Sequence, residues 1–170
     1  MSKNQEIGKK DYFLSPIGLL EINGDGQYIT SIKFLDELIE DDLAVSDETV
    51  KDCIKQLREY FDGQRKEFEI PLNPEGTDFQ KKVWGKVTEI PYGDTTSYGL
   101  IAKLLGDKRL SRAVGLANGA NPIPIIIPCH RVVGNDGSLT GYAGGLERKK
   151  WLLKHEQDHV STSKGQYKLF

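Results

Sequence analysis

The alternation of apolar and polar positions divides the chain into a β-rich first third and a helical remainder. Residues 12–14, 18–22 and 28–34 are short runs rich in β-branched and aromatic side chains, and turn-forming residues bound each of them. Ser15-Pro16 interrupts the first pair and Asn23-Gly24-Asp25-Gly26 the second, which predicts an antiparallel hairpin sheet. An acidic loop follows, carrying Glu37, Glu40, Asp41 and Asp42. The pattern then switches to helical spacing over 48–61, with Val50, Ile54, Leu57 and Phe61 on one face and Gly63 beyond the end. Cys53 falls inside this helix and reads as a small buried apolar residue.

The segment 71–76 (PLNPEG) predicts a connection between two domains. Thr77 and Gln80 have the spacing of a capping box, so a helix opens there and runs to about Glu89, with Phe79, Val83, Val87 and Ile90 inward. Pro91-Tyr92-Gly93-Asp94 ends it. Two short helices follow, 97–105 and 109–118, separated by Gly106-Asp107 and packed through Ala102, Leu105, Leu110, Ala113 and Val114. That is helix-turn-helix spacing, which many αα-hairpins share. The Ile125-Ile126-Ile127 run reads as an interior strand leading into Pro128-Cys129-His130-Arg131, and Asn135-Asp136-Gly137 as a turn. A last helix is expected over 145–156, with Leu146, Trp151, Leu152 and His155 near one face, then a polar, irregular end over 157–170.

Composition narrows the class. The 170 residues are 38% hydrophobic and 28% charged, with a net charge of −2, as in an ordinary globular protein. No apolar run approaches the ~18 residues of a membrane span, and the first ten residues have charges without the apolar core of a secretory signal. Two cysteines cannot build a disulfide framework, which fits a reducing cytoplasm. Collagenous, disulfide-rich, membrane and disordered classes are thereby excluded. Residues 1–75 hold 9 Lys and Arg against 17 Asp and Glu, whereas 76–170 hold 14 against 8. The carboxy-terminal part is therefore the one suited to a polyanion.

Cys129 is the candidate nucleophile. Burial alone raises a thiol's pKa and makes it inert, so reactivity needs a local base or cation, and His130 and Arg131 supply both types. In a strand, adjacent side chains point to opposite faces. For His130 to help, the chain must turn at Pro128-Cys129 or a water must bridge, and a third residue must hold the imidazole. A buried cysteine beside a solvated His-Arg pair is the plain alternative.

The string Pro128-Cys129-His130-Arg131-Val132 resembles the active-site signature of the methylated-DNA–protein-cysteine methyltransferases, the O6-alkylguanine-DNA alkyltransferases. The likeness extends to Ser111-Arg112-Ala113-Val114-Gly115, Asn118-Gly119-Ala120-Asn121-Pro122, Gly141-Tyr142-Ala143-Gly144-Gly145-Leu146 and Trp151-Leu152-Leu153-Lys154-His155-Glu156. It is strong over 76–156 and holds only in general layout over the first 70 residues.

The resemblance implies direct, stoichiometric removal of alkyl groups from O6-alkylguanine in double-stranded DNA, and less readily from O4-methylthymine. Cys129 would be the acceptor, used once and without a cofactor. It implies that His130 takes the thiol proton through a water, that Glu156 orients His130, that Asn121 fixes the turn before the active site, and that Tyr98 donates to the extruded base. The backbone at Cys129, Val132 and Ala143 would read the guanine edge, with Tyr142 and Gly144 in the pocket wall. Arg112 would enter the space the base vacates. Ser111, Ala113, Gly115 and Gly119 would let the second motif helix approach the minor groove, and Lys81, Lys82, Lys103, Lys108 and Arg109 are candidate phosphate contacts. Leu116 and Ala120 depart from the family's more polar or basic pattern.

The zinc of some relatives is not expected, because Cys53 stands alone and no histidine precedes His130. His155 and His159 have the spacing of a metal pair but lack a third ligand.

The expected fold class is α+β. A small amino-terminal domain (1–75) with an antiparallel hairpin sheet precedes a mostly helical, winged helix-turn-helix domain (76–157), whose wing lies near 133–142, and a polar tail (158–170). The protein is expected to be a cytoplasmic monomer with no membrane association and no metal. A non-catalytic lesion-binding protein on the same fold and a thiol hydrolase are the rival readings.

Overall fold

The hairpin chemistry at Ser15 and Asn23 sets up the first sheet. The computed structural model describes residues 8–37 and 46–160, so Glu40, Asp41 and Asp42 of the acidic loop lie outside the described residues. Strands β1 (Lys9–Ser15), β2 (Gly18–Gly24) and β3 (Ile29–Leu35) form an antiparallel meander in the order β1-β2-β3. Ser15 pairs with Gly18 across the first turn, and its hydroxyl donates to the Gly18 carbonyl at 2.7 Å. The second turn closes through the Asp25 carboxylate, which accepts from the Gln27 and Tyr28 amides at 3.0 and 2.8 Å.

One face of this sheet buries Leu20, Ile22, Ile29 and Ile32 against helix α1 (Glu48–Phe61), whose bounds match the hydrophobic period. The Asp47 side chain caps α1 by accepting from Val50 N–H at 2.9 Å, and Gly63 follows it at φ +77, where only glycine is unstrained. Val50, Ile54, Leu57 and Phe61 all face the core, each contributing on the order of 2 kcal/mol by burial. Cys53 is buried among them, and burial raises its thiol to about 12, so it is inert packing.

The connection between the halves is tied down. Ile29 N–H donates to Pro71 O and Asn73 N–H to Ile29 O, both at 2.9 Å, so 71–73 runs along the edge of β3. Helix α2 (Asp78–Thr88) begins with the full capping box, Thr77 and Gln80 bonding reciprocally. Strand β4 (Thr96–Ser97) leads into α3 (Tyr98–Leu104), then a single 3₁₀ turn at Lys108–Leu110 opens α4 (Ser111–Gly119), completing the helix-turn-helix. Trp84 Nε1 donates to Ala117 O at 2.8 Å and locks α2 onto α4. Buried residues of both halves, from Leu20 to Val114 and Leu152, belong to one core. The fold class is the expected α+β.

Two expectations are corrected. The isoleucine run is no strand: residues 123–127 form a turn with Ile125 at φ +75, and the chain enters a 3₁₀ turn at Cys129–Arg131. The reason is that Asn121 takes the backbone groups a strand would have paired. The wing segment near 133–142 is mostly irregular loop. Strand β5 (Val132–Val133) pairs in parallel with β4, and the chain then turns through a Gly134 N–H to Ser138 O bond of 2.8 Å. Helix α5 (Leu146–His159) runs past Glu156 into the segment expected to be irregular, and Leu146 is exposed while Lys149, Leu152, His155 and Glu156 face inward. The rest of the polar tail, 161–170, lies outside the described residues.

Candidate active site

A 3₁₀ turn at Cys129 resolves the orientation problem a strand would have posed, because successive side chains then diverge by about 120° instead of 180°. The turn is closed by Arg131 N–H donating to Pro128 O at 2.9 Å. Upstream, Asn121 clamps both sides of the isoleucine turn: its amide donates to Ile127 O at 2.8 Å and its carbonyl accepts from Ile123 N–H at 2.9 Å. A β-branched residue held at positive φ costs roughly 1–3 kcal/mol, so the strain at Ile125 is sustained by this clamp and the packing around it. Asn118 donates to Cys129 O at 3.2 Å from the end of α4.

Cys129 is only 3% exposed. Burial pushes its thiol up to about 11, against the pull of the Asn121 amide, the Lys149 ammonium and nearby backbone amides. At neutral pH the resting thiol is therefore protonated, and its activation requires a base.

A side chain with the chemistry of a base is buried beside it. His130 is fully buried, and its Nε2 lies 2.8 Å from Glu156 Oε1. Burial lowers the His130 pKa below its ordinary value, so the ring is neutral at pH 7. Burial would raise the Glu156 carboxyl, yet the His130 ring and the Arg131 guanidinium against it bring it down to about 2. An ionised carboxylate can only accept, so Nε2 carries the ring proton and Nδ1 keeps its lone pair. Nδ1 is buried with no partner among the described residues. It is the free basic site of a Glu–His pair.

Arg131 binds Glu156 in bidentate fashion, Nε to Oε2 at 2.9 Å and Nη2 to Oε1 at 2.7 Å, while Nη1 donates to Ile90 O at 2.6 Å. This fork fixes the plane of the carboxylate.

Around the thiol, Tyr98 at the start of α3 donates to Thr140 O at 3.0 Å. Lys149 donates to Val132 O at 2.6 Å and to the same Thr140 O at 2.9 Å, and its burial lowers the ammonium to about 8. Tyr142 is buried against Phe34, the ring centroids 6.0 Å apart. A Cβ on Gly144 would lie 2.8 Å from the Phe34 ring and 2.9 Å from the Tyr142 ring, so only glycine lets that loop pass. Ala143 is exposed at the same loop.

The structure thus brings Cys129, His130, Glu156 and Asn121 together, with Tyr98, Val132, Tyr142 and Gly144 close by through shared partners. Sequence reasoning missed Phe34, Tyr60 and Lys149 as parts of this site, and had Arg131 there only as a cation near the thiol. The first two come from the amino-terminal half, and nothing local marks them. His155 and His159 each direct a ring nitrogen at a backbone carbonyl, Tyr60 O at 2.8 Å and His155 O at 2.7 Å.

Family models match both halves of the chain. Residues 78–158 match the 6-O-methylguanine DNA methyltransferase DNA-binding domain, and residues 9–74 match the ribonuclease-like domain of the same family. The chain belongs to the methylated-DNA–protein-cysteine methyltransferase family. A member from Methanosarcina acetivorans is 48% identical over 148 residues, 85% of this chain and 95% of that protein. One from Mycobacterium tuberculosis is 46% identical over 149 residues, 86% of this chain and 90% of that protein. The crystal structure of the M. tuberculosis O6-methylguanine methyltransferase superposes with a TM-score of 0.82 at 42% identity, covering 92% of this chain and 97% of that one. The M. tuberculosis protein in complex with DNA gives 0.80 at 44% identity, covering 89% and 94%.

The methyltransferase's second motif helix, α4, carries the residues expected to face DNA. Arg112 and Gly119 are exposed, Ser111, Ala113 and Gly115 half-buried, and Leu116 is 73% exposed. Arg112 has no hydrogen-bond or ion-pair partner among the described residues. A Cβ added at Gly115 would lie 3.7 Å from the Tyr98 ring, an ordinary contact, so α4 passes beside that ring. Beside α4, a groove of about 650 Å³ is lined by Lys103, Lys108, Arg109, Ser111 and Asn135.

Proposed function

We propose that this methyltransferase repairs double-stranded DNA by accepting the alkyl group of O6-alkylguanine, and less readily of O4-methylthymine, on Cys129, once per molecule. The observation that carries the reading is the buried thiol whose adjacent His130 is polarised by an ionised Glu156.

The steps follow from the groups present. Nδ1 of His130 takes the Cys129 proton through a water, and Glu156 stabilises the resulting imidazolium. The Sγ thiolate attacks the alkyl carbon, and the C–O6 bond breaks with its electron pair going to guanine. Guanine gains one proton through the Tyr98 hydroxyl and solvent, which the imidazolium replaces by giving up the proton taken from the thiol. Tyr98 reduces the developing charge on the departing base. A thioether carbon is not displaced by water at neutral pH, so Sγ stays alkylated. No cofactor is required, because the electrophile arrives on the DNA.

The target atom lies inside the base stack, so the nucleotide must be extruded at a cost of a few kcal/mol. Arg112, exposed and unpaired on α4, is suited to fill the gap, with Ser111, Ala113, Gly115 and Gly119 permitting close approach to a minor groove. Ala143 and the backbone of Cys129 and Val132 read the guanine edge, Tyr142 and Gly144 form the pocket wall, and Asn121 holds the turn. In this reading, 1–75 is the supporting domain and 76–157 the DNA-binding and acceptor domain of a cytoplasmic monomer. Among the described residues, no helix is long and apolar enough to cross a membrane.

Single-turnover transfer from a duplex oligonucleotide with one labelled O6-methylguanine tests the proposal. One methyl group per protein is expected, on Cys129. A sub-stoichiometric plateau with label on Cys53, or repeated turnover, overturns it.

A further inference from the structure

Glu156 Oε1 receives one donor that the Cys–His–Glu scheme leaves unexplained. The Tyr60 hydroxyl, on α1 of the amino-terminal half, donates to it at 3.0 Å. The same oxygen accepts His130 Nε2–H at 2.8 Å and Arg131 Nη2 at 2.7 Å. Tyr60 is fully buried, and its ring packs against Phe61, Phe68, Tyr92 and His155 at centroid distances of 5.2, 5.5, 6.1 and 5.3 Å. That packing leaves the hydroxyl no alternative orientation toward solvent.

We propose that Tyr60 is a positioning residue of alkyl transfer: its phenol shares the Glu156 oxygen that holds His130 and thereby sets how strongly that carboxylate stabilises the imidazolium. The amino-terminal half then contributes a working group to the active site as well as packing. The inference rests on the roles of His130 and Glu156 given above.

The arrangement predicts a direction. Arg131 already fixes the carboxylate plane with two bonds, so loss of the phenol leaves the geometry standing. Each donor to a carboxylate withdraws charge from it. With Tyr60 O–H removed, Oε1 presents more charge to Nε2–H and the imidazolium is favoured. The other charged or titratable groups facing this cluster are Arg131 from the 3₁₀ turn, Lys149 and His155 from α5, Tyr92 from the loop after α2, and Tyr142 from the loop before α5. A Tyr60→Phe substitution leaves all of them in place.

The test is the pH dependence of benzyl transfer from free O6-benzylguanine, so that DNA affinity does not enter. In Tyr60→Phe the acid limb should move up by about 0.5–1 pH unit, with one benzyl group still transferred to Cys129. Replacement of Tyr60 by 3-fluorotyrosine, a stronger donor of nearly the same shape, should move the limb down. A limb displaced by less than about 0.2 unit in both proteins overturns the proposal, whatever happens to rate or melting temperature. His130→Ala separates the two levels: an unchanged acid limb there defeats the role of His130 itself, whereas its disappearance leaves Tyr60 to be judged on its own variants.

Discussion

His130 and Glu156 meet through a 2.8 Å contact although 26 residues separate them in the chain, and neither side chain is exposed to water. The contact fixes the tautomer of the ring, and with it the identity of the nitrogen that can act as base.

Glu156→Gln should therefore damage activity and stability together. The amide cannot neutralise Arg131, and an unpaired buried cation costs about 3–5 kcal/mol. Its NH₂ group can also face Nε2 and invert the tautomer. Single-turnover transfer should slow at least ~100-fold, while affinity for duplex DNA, read by fluorescence anisotropy, stays near that of the parent. Equal loss of both would make the residue purely structural.

Acid should unfold the protein in two overlapping stages. Glu156 is held near 2 in the folded state against an ordinary 4.5, so the stability it confers is present above 4.5 and lost as pH falls toward 2. That contribution is on the order of 3 kcal/mol. His130 is buried neutral with a lowered pKa, so the folded state binds fewer protons than the unfolded one and stability begins to fall below about 6.5. Urea midpoints measured from pH 7 to 3 should decline throughout, and His130→Ala should flatten the upper part and, by removing a partner that holds Glu156 down, shrink the lower part as well.

Asn121→Ala removes both bonds that hold the 123–127 turn. The mutant should be about 2 kcal/mol less stable in urea, from two unsatisfied buried backbone groups. Its Cys129 thiol also loses a hydrogen bond that favours the thiolate. Iodoacetamide labelling of Cys129 should accordingly shift to higher pH if the turn survives.

Gly144→Ala forces a methyl group toward the Phe34 and Tyr142 rings, at 2.8 and 2.9 Å. A cost of about 1–3 kcal/mol is expected, together with slower transfer. Adding Phe34→Leu should restore much of both, and no recovery in the double variant would mean the loop fails for another reason.

Arg112→Ala should slow transfer from duplex DNA yet leave transfer from free O6-benzylguanine unchanged. Lys108→Ala in the α4 groove should weaken binding to any sequence and reduce the salt slope by about one.

Much of this protein was legible along the chain wherever the signal was local. The 48–61 helix, the Thr77–Gln80 capping box and the two hairpin turns follow from side-chain period and cap chemistry within a few residues of each other. The 125–127 run misled for the same reason: three isoleucines carry strand propensity, but the partners that turn them, through Asn121, override it. The wing expected near 133–142 is loop beyond Val133, because β5 pairs its two residues with β4.

The sequence by itself determined most of the elements and singled out Cys129 and its neighbouring histidine, because periodicity, caps and a contiguous string are written in neighbouring residues. Only the tertiary structure decided that Glu156 would gather His130, Arg131 and Tyr60 on one carboxylate, and that Phe34 would brace the pocket. Those partners are brought together by the packing of α1, α5 and the sheet into one core, and a hydrogen bond spanning 96 residues leaves no trace in local pattern.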